Sequence, residues 1–115
     1  MDDLDWNPFD QLTAEQREQF EAFEEQLLRF NQRLNLISSE SERQFRPQHL
    51  LHCLTLTVRD FPDGCTIVDW GTGGGLPAIP LAICFPEARV VGVDSVGKKS
   101  RAVRTIARRL GLENC

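Results

Sequence analysis

The 115-residue sequence lacks several features that mark specialised classes of protein. No stretch approaches the roughly 18 consecutive apolar residues of a membrane span, so we expect no transmembrane helix. The acidic amino terminus has neither the basic nor the apolar region of a signal peptide, which favours a cytoplasmic location. The four cysteines form no C-x-x-C pair, which argues against a zinc ribbon or a redox dithiol and predicts reduced, partly buried thiols.

Metal-ligating residues are also scarce, and the charges are unevenly distributed. His49 and His52 lie three positions apart without a third ligand nearby, so we predict no metal site. The net charge is −4, but residues 1–65 hold 6 Lys/Arg against 13 Asp/Glu, whereas residues 66–115 hold 7 against 4. Because phosphate contact needs only a local cationic patch, a nucleic-acid partner stays open for the second half.

Apolar spacing divides the chain into an acidic arm (1–12), a helical cap (13–64) and an α/β segment (65–115). Thr13 and Gln16 form a capping-box pattern at the start of a helix that is expected to run to about Asn35. Its apolar residues fall on one face, which we expect to pack on the α/β segment: Phe20, Phe23, Leu27, Phe30 and Leu34. Residues 36–46 are predicted to be a loop. A second helix is expected from Pro47 to near Phe61, with a stripe formed by Leu50, Leu51, Leu54, Val58 and Phe61.

The pattern changes to an alternation of strands and helices at Cys65. The predicted elements are a buried strand, a helix, a second strand and an amphipathic helix, in the order Thr66–Trp70, Pro77–Phe85, Arg89–Asp94 and Gly97–Leu110. Gly111 is expected to cap the last helix. This order predicts a parallel sheet. A third strand is expected to begin near Leu112, and because doubly wound sheets have more strands, we expect an amino-terminal portion of a longer protein.

A glycine-rich loop joins the first strand to its helix, and it reads Asp69-Trp70-Gly71-Thr72-Gly73-Gly74-Gly75. Glycines let the backbone turn sharply and let a ligand approach, and we expect free N–H groups at the helix start to favour a polar or negative ligand group. Asp94 closes the second strand, where a carboxylate can accept hydrogen bonds from both ribose hydroxyls of an adenosine. The dinucleotide pattern G-x-G-x-x-G fails in both registers, at Leu76 and at Ala78, which disfavours a nicotinamide-dependent oxidoreductase.

The pattern D-x-G-x-G-x-G resembles motif I of class I methyltransferases. Further stretches follow the order of one family: Asn31-Gln-Arg-Leu-Asn-Leu36, His49-Leu-Leu51, Val68 to Pro77, Ile79-Pro-Leu-Ala82, Val93-Asp-Ser-Val-Gly-Lys-Lys99 and Leu110-Gly-Leu-Glu-Asn114. Over about residues 27–115 the chain resembles the small-subunit ribosomal RNA guanine-N7 methyltransferases, also called glucose-inhibited division protein B. It departs from them at Gln48 to Cys53, where the family usually has Arg-His-x-x-Asp-Ser.

The resemblance implies an α/β fold in which a helical cap precedes the first β-α-β-α units of a Rossmann-like class I methyltransferase sheet. It implies S-adenosyl-L-methionine as cofactor and small-subunit ribosomal RNA as partner. The cofactor-binding residues that it implies are Asp69, Gly71, Thr72, Gly73, Gly75, Leu76, Asp94 and Ser95. Guanine N7 attacks as a neutral nitrogen and need lose no proton, so we predict positioning rather than a general base and name no catalytic residue. An inactive fragment that keeps part of the cofactor site is the alternative.

The last predicted helix carries a basic face opposite its apolar stripe. The cations are Lys98, Lys99, Arg101, Arg104, Arg108 and Arg109, and the stripe is Val103, Ile106, Ala107 and Leu110. Two interpretations stay open, a solvated helix face and a phosphate-contacting face. In the second interpretation, the residues that contact RNA are Lys98, Lys99 and Arg101.

Overall fold

The structure is a computed structural model that describes residue 10, residues 12–43 and residues 61–115. Most of the predicted acidic arm and the predicted second helix from Pro47 lie outside the described residues, as do His49 and His52. The described helices are α1 (Ala14–Leu34), α2 (Ser39–Arg43), α3 (Ala78–Cys84) and α4 (Gly97–Arg109), and the strands are β1 (Thr66–Trp70) and β2 (Arg89–Val93). β1 and β2 pair in parallel from Thr66↔Arg89 to Trp70↔Val93, which confirms the predicted α/β class.

Helix α1 begins with the capping box that the sequence predicts. The Thr13 hydroxyl accepts a hydrogen bond from the Gln16 N–H at 3.1 Å, and the Gln16 side chain accepts one from the Thr13 N–H at 2.9 Å. The helix ends where Asn35 adopts the left-handed conformation, with φ 49°. The loop predicted over residues 36–46 is wrong in part, because α2 forms within it. Glu40 and Glu42 lie in the first turn of α2, where the helix dipole favours negative charge.

The apolar face of α1 packs against α3 and α4, which confirms the predicted packing for the first helix of the cap. Phe20, Phe23 and Leu27 are at most 2% exposed, and Phe30 and Leu34 are partly buried against the same core. From the α/β side the core receives Ile79, Ile83, Val103 and Ile106. Burial of each large apolar side chain stabilises the fold by roughly 1.5–3 kcal/mol, so this contact is a main source of stability.

The two faces of the sheet differ in burial. Ile67 and Val90 lie on the face that α3 covers, and they belong to one core cluster with Leu81 and Ala82. Side chains alternate along a strand, so Val68 and Trp70 point the other way, and they are 45% and 78% exposed. The prediction that β1 is a buried strand is therefore wrong for its second face, because the described helices pack on the first.

The residues after α4 run beside the free edge of β2. Gly111 has φ +75°, in agreement with its predicted role at the helix end. The Asn114 carbonyl accepts a hydrogen bond from the Val90 N–H at 2.7 Å, and its side-chain amide lies within 3.1 Å of the Ala82, Phe85 and Ala88 carbonyl oxygens. Asn114 therefore lies where we expect a third strand to begin.

None of the helices in the described part of the chain is long and apolar enough to span a membrane. Cys65, Cys84 and Cys115 are free thiols; Cys65 and Cys84 are half-buried, as the cysteine spacing predicts, whereas Cys115 is exposed. Burial raises the pKa of the Cys84 thiol to about 12, so this thiol is held in its unreactive protonated form at neutral pH.

Candidate cofactor site

The carboxyl ends of the two parallel strands meet at one edge of the sheet. The N–H groups of Gly71 and Thr72 both donate to the Val93 carbonyl, at 2.7 and 2.9 Å, which ties the glycine-rich loop to the end of β2. One residue further on, the Gly73 N–H donates to a carboxylate oxygen of Asp94 at 2.9 Å. The structure thus brings the glycine-rich loop and Asp94 together, as the sequence predicts.

The glycine-rich loop has an open side and a packed side. Gly71 has φ +74°, and a Cβ placed on it meets nothing within 4 Å. A Cβ placed on Gly74 lies only 2.9 Å from Leu27 Cδ1 and 3.5 Å from Leu36 Cβ. The loop therefore leaves room on one side for a ligand and rests with the other side on α1 and the turn that follows it.

The amino terminus of α3 has its N–H groups occupied, so our expectation of free donors there is wrong. The Ala78 N–H donates to the Asp69 carboxylate at 3.1 Å, and the Ile79 N–H donates to the Gly75 carbonyl at 2.7 Å. Pro80 has no N–H, and the Leu81 N–H donates to the Pro77 carbonyl at 3.0 Å. Pyrophosphate recognition uses such donors, so this arrangement suits a cofactor without a phosphate better than a dinucleotide.

Asp94 is held as an ionised hydrogen-bond acceptor. Its two carboxylate oxygens accept from the Val96 and Gly73 N–H groups, both at 2.9 Å. These two N–H groups lower the pKa of the Asp94 carboxyl, desolvation opposes them, and the nearby Lys99 ammonium adds to them. A carboxylate has about four lone-pair sites, so roughly two remain, which matches the two hydroxyls of a ribose.

The other residues that the resemblance places at the cofactor differ in position. Thr72 is 3% exposed, it packs against Gly92, and its hydroxyl has no hydrogen-bond partner among the described residues. Leu76 is partly buried against the main core, and Ser95 is exposed. The structure therefore places Ser95 at the surface and directs Leu76 partly into the protein interior.

The residues that support the loop from behind were not among the predicted site residues. Leu36 and Ile37 lie against Gly74, at 3.5 and 3.6 Å from a Cβ placed there. A signal was available, since Leu36 ends one of the stretches that carry the family resemblance. Its function in supporting the loop could not be inferred from the local pattern.

The basic residues of α4 are not equivalent. Lys98 and Arg101 are exposed, and Lys99 is half-buried and near enough to Asp94 to influence its ionisation. Arg109 donates to the Gln26 side chain at 2.8 Å, and its guanidinium lies 5.6 Å from the centre of the Phe30 ring. Arg109 thus holds α4 to α1. In the part of the chain that the structure describes, no three His, Cys, Asp or Glu residues group as metal ligands would.

Comparison with known proteins assigns the family. The family model described as rRNA small subunit methyltransferase G matches residues 16–115. The chain is 80% identical over 115 residues to ribosomal RNA small subunit methyltransferase G of Salinibacter ruber, covering all of this chain and 54% of the relative. It is 43% identical over 107 residues to the protein of that name from Bacteroides thetaiotaomicron, covering 92% and 52%. The chain spans about half the length of these curated relatives, and it belongs to the rRNA small subunit methyltransferase G family.

Proposed function

We propose that this chain binds S-adenosyl-L-methionine through its glycine-rich loop and Asp94. We further propose that, in a protein of its relatives' length, it serves methyl transfer to guanine N7 of small-subunit ribosomal RNA. The observation that carries the proposal is the hydrogen bond from the Gly73 N–H to the Asp94 carboxylate, because it joins the two elements at one edge of the sheet. The relatives' printed name supplies the substrate class.

The residues fit this cofactor in shape and charge. Gly71 and Gly73 have no side chains that would keep the cofactor from the loop backbone. The remaining lone pairs of the Asp94 carboxylate accept hydrogen bonds from the ribose hydroxyls in this proposal. Asp69 and Gly75 hold the loop to the start of α3 through the Ala78 and Ile79 N–H groups. The remaining proposed contacts are Thr72, whose buried hydroxyl has no hydrogen-bond partner among the described residues, the partly buried Leu76 and the exposed Ser95.

The start of α4 is the proposed RNA contact. Val96 caps this helix without a side-chain hydrogen bond, and its first turn has no acidic residue. Lys98 and Lys99 stand there instead, although the positive end of the helix dipole disfavours cations. An RNA phosphate would offset that repulsion, and Arg101 would extend the contact along the next turn. With ribosomal RNA as the proposed substrate, we also propose a cytoplasmic location.

Catalysis in this proposal rests on positioning. When bound, S-adenosyl-L-methionine supplies an electrophilic methyl group on a sulfonium sulfur. Asp94 orients the ribose, and the glycine-rich loop allows close approach of the backbone. Because N7 is neutral and loses no proton, the chain's own residues need to hold the reactants in line and exclude water, and no side chain is assigned as acid or base.

A second candidate function is that the chain alone binds the cofactor but does not catalyse methyl transfer. Its span of about half the relatives' length and the exposure of Val68 and Trp70 favour this candidate. The test supplies labelled S-adenosyl-L-methionine and undermethylated small ribosomal subunits to this chain and to the full Salinibacter ruber relative. We expect methyl incorporation with the relative and little with the chain alone. Equal turnover would show that the additional length is dispensable, and no incorporation by the relative would refute the proposed substrate.

A further inference from the structure

A buried side-chain amide lies on α1 close to the glycine-rich loop. Asn31 is 9% exposed, although it is polar and lies within the helix. Its carbonyl oxygen accepts a hydrogen bond from the Ile37 N–H at 2.8 Å, and its amide nitrogen donates to the Glu42 carboxylate at 2.7 Å. A buried polar group is stable only when its hydrogen bonds are made, so both contacts are required. Asn31 therefore ties together α1, the turn after it, and α2.

The turn that Asn31 holds forms the wall behind the glycine-rich loop. The left-handed conformation of Asn35 reverses the chain and brings Leu36 and Ile37 back along the helix. Both side chains lie within 3.6 Å of a Cβ placed on Gly74, and the Leu36 carbonyl oxygen lies 4.0 Å from one placed on Gly73. Movement of this wall would therefore displace Gly73 and Gly74, which lie next to it.

The contact continues from the wall to Asp94, because the Gly73 N–H donates to the Asp94 carboxylate. We infer that Asn31 is a positioning residue for the cofactor loop: through Ile37 and Glu42 it fixes the wall that sets the place of Gly73 and Gly74. Its effect on cofactor affinity rests on the proposed function, but its effect on the loop does not. An amino-terminal helix thus takes part in shaping a site that the glycine motif alone does not define.

The hydrogen bond between Asn31 and Glu42 can be reversed, and this provides the test. Asn31→Asp keeps the acceptor for the Ile37 N–H but places a second carboxylate 2.7 Å from that of Glu42. Glu42→Gln keeps an acceptor for Asn31. The double variant Asn31→Asp/Glu42→Gln restores the bond in the opposite direction, with the glutamine amide donating to the new aspartate.

The readouts are amide hydrogen exchange at Gly73 and Gly75 in the free protein and the Kd for S-adenosyl-L-methionine. Both amides donate within the site, to Asp94 and to the Thr72 carbonyl. We expect Asn31→Asp to lower their protection about tenfold and to raise Kd about tenfold, which is about 1.4 kcal/mol. Glu42→Gln alone is expected to leave both within about twofold of the unchanged chain, and the double variant to restore both.

Phe20→Leu is the control for general destabilisation. Phe20 is 2% exposed in the main core but lies in the first half of α1, eleven residues before Asn31, so its replacement should lower stability without moving the loop. If Asn31→Asp changes the Gly73 and Gly75 amides no more than Phe20→Leu does, or if the double variant fails to restore them, Asn31 has no positioning role. If the exchange pattern follows our expectation but the unchanged chain binds no cofactor, the inference stands and the proposed function falls.

Discussion

The two sides of the glycine-rich loop use the same residue type for different physical reasons. On the open side, Gly71 adopts φ +74° and faces free space. On the packed side, Gly75 has φ +86° and also lies against Ile79. A side chain on the open side would occupy the space of a ligand, whereas one on the packed side would displace the core. Within five residues, the loop thus has one glycine that gives a cofactor access and another that packs against the protein interior, and a substitution can change either one separately.

Replacement on the packed side should have the largest effect on stability. In Gly75→Ala the new Cβ lies 2.8 Å from Ile79 Cδ1 and 3.1 Å from Cγ1. The left-handed conformation costs about 1–2 kcal/mol and the overpacking about 1–3 kcal/mol, against a typical stability of about 5–15 kcal/mol. We expect unfolding by urea to show a loss of about 2–5 kcal/mol. A loss below about 1 kcal/mol would mean that the core yields to the new methyl group.

The matched change on the open side should separate binding from stability. Gly71→Ala meets nothing within 4 Å, so only the backbone strain of about 1–2 kcal/mol applies. Its methyl group projects into the proposed cofactor space, and we expect the Kd for S-adenosyl-L-methionine to rise more than tenfold. Unchanged affinity in a folded Gly71→Ala variant would remove this side of the loop from the site.

A third experiment asks whether the open side continues onto α4 as an RNA surface. We expect Lys98→Ala and Arg101→Ala each to weaken RNA binding and to reduce the slope of log K against log salt by about 0.7–0.9 for each lost phosphate contact. Arg108→Ala is the control, since Arg108 is exposed at the other end of the same helix. Equal effects of all three changes would indicate a diffuse attraction rather than a contact at the helix start.

The smallest expected effect is a difference in acid sensitivity between the two sides. The Val96 and Gly73 N–H groups lower the pKa of Asp94 in the folded chain below its ordinary value of 3.8. The stabilisation from its ionised form is therefore fully present above that ordinary value and is lost as the pH falls through the lowered one. We expect the Gly73 amide shift in NMR spectra to titrate with a midpoint below 3.8, while the Gly75 amide, which donates to a carbonyl, stays unchanged. A midpoint at or above 3.8 would contradict this account of Asp94.

Local patterns predicted the elements well and the contacts between distant segments poorly. The bounds of β1 and the Thr13 capping box follow from neighbouring residues, and both were predicted correctly. The five-residue helix α2 was missed because it is too short to show an apolar period. The support of Gly74 by Leu36 joins residues far apart in sequence, and a single sequence does not encode such a contact in any local spacing. The occupied N–H groups at the start of α3 were missed because the Ala78 bond depends on the orientation of the Asp69 side chain and the Ile79 bond on the path of the loop backbone at Gly75.

The central claim is that the open side of the loop and Asp94 bind S-adenosyl-L-methionine. Calorimetric titration tests this claim most directly. S-adenosyl-L-methionine is titrated into the unchanged chain and into its Asp94→Asn variant, and NAD is titrated into the unchanged chain. We predict saturable binding to the unchanged chain and at least tenfold weaker binding to Asp94→Asn, because the amide that replaces the carboxylate has fewer acceptor sites and no charge. No binding of NAD is expected, since the α3 N–H groups are already occupied. Equal affinity of the two forms of the chain for S-adenosyl-L-methionine, or tighter binding of NAD, would contradict the account.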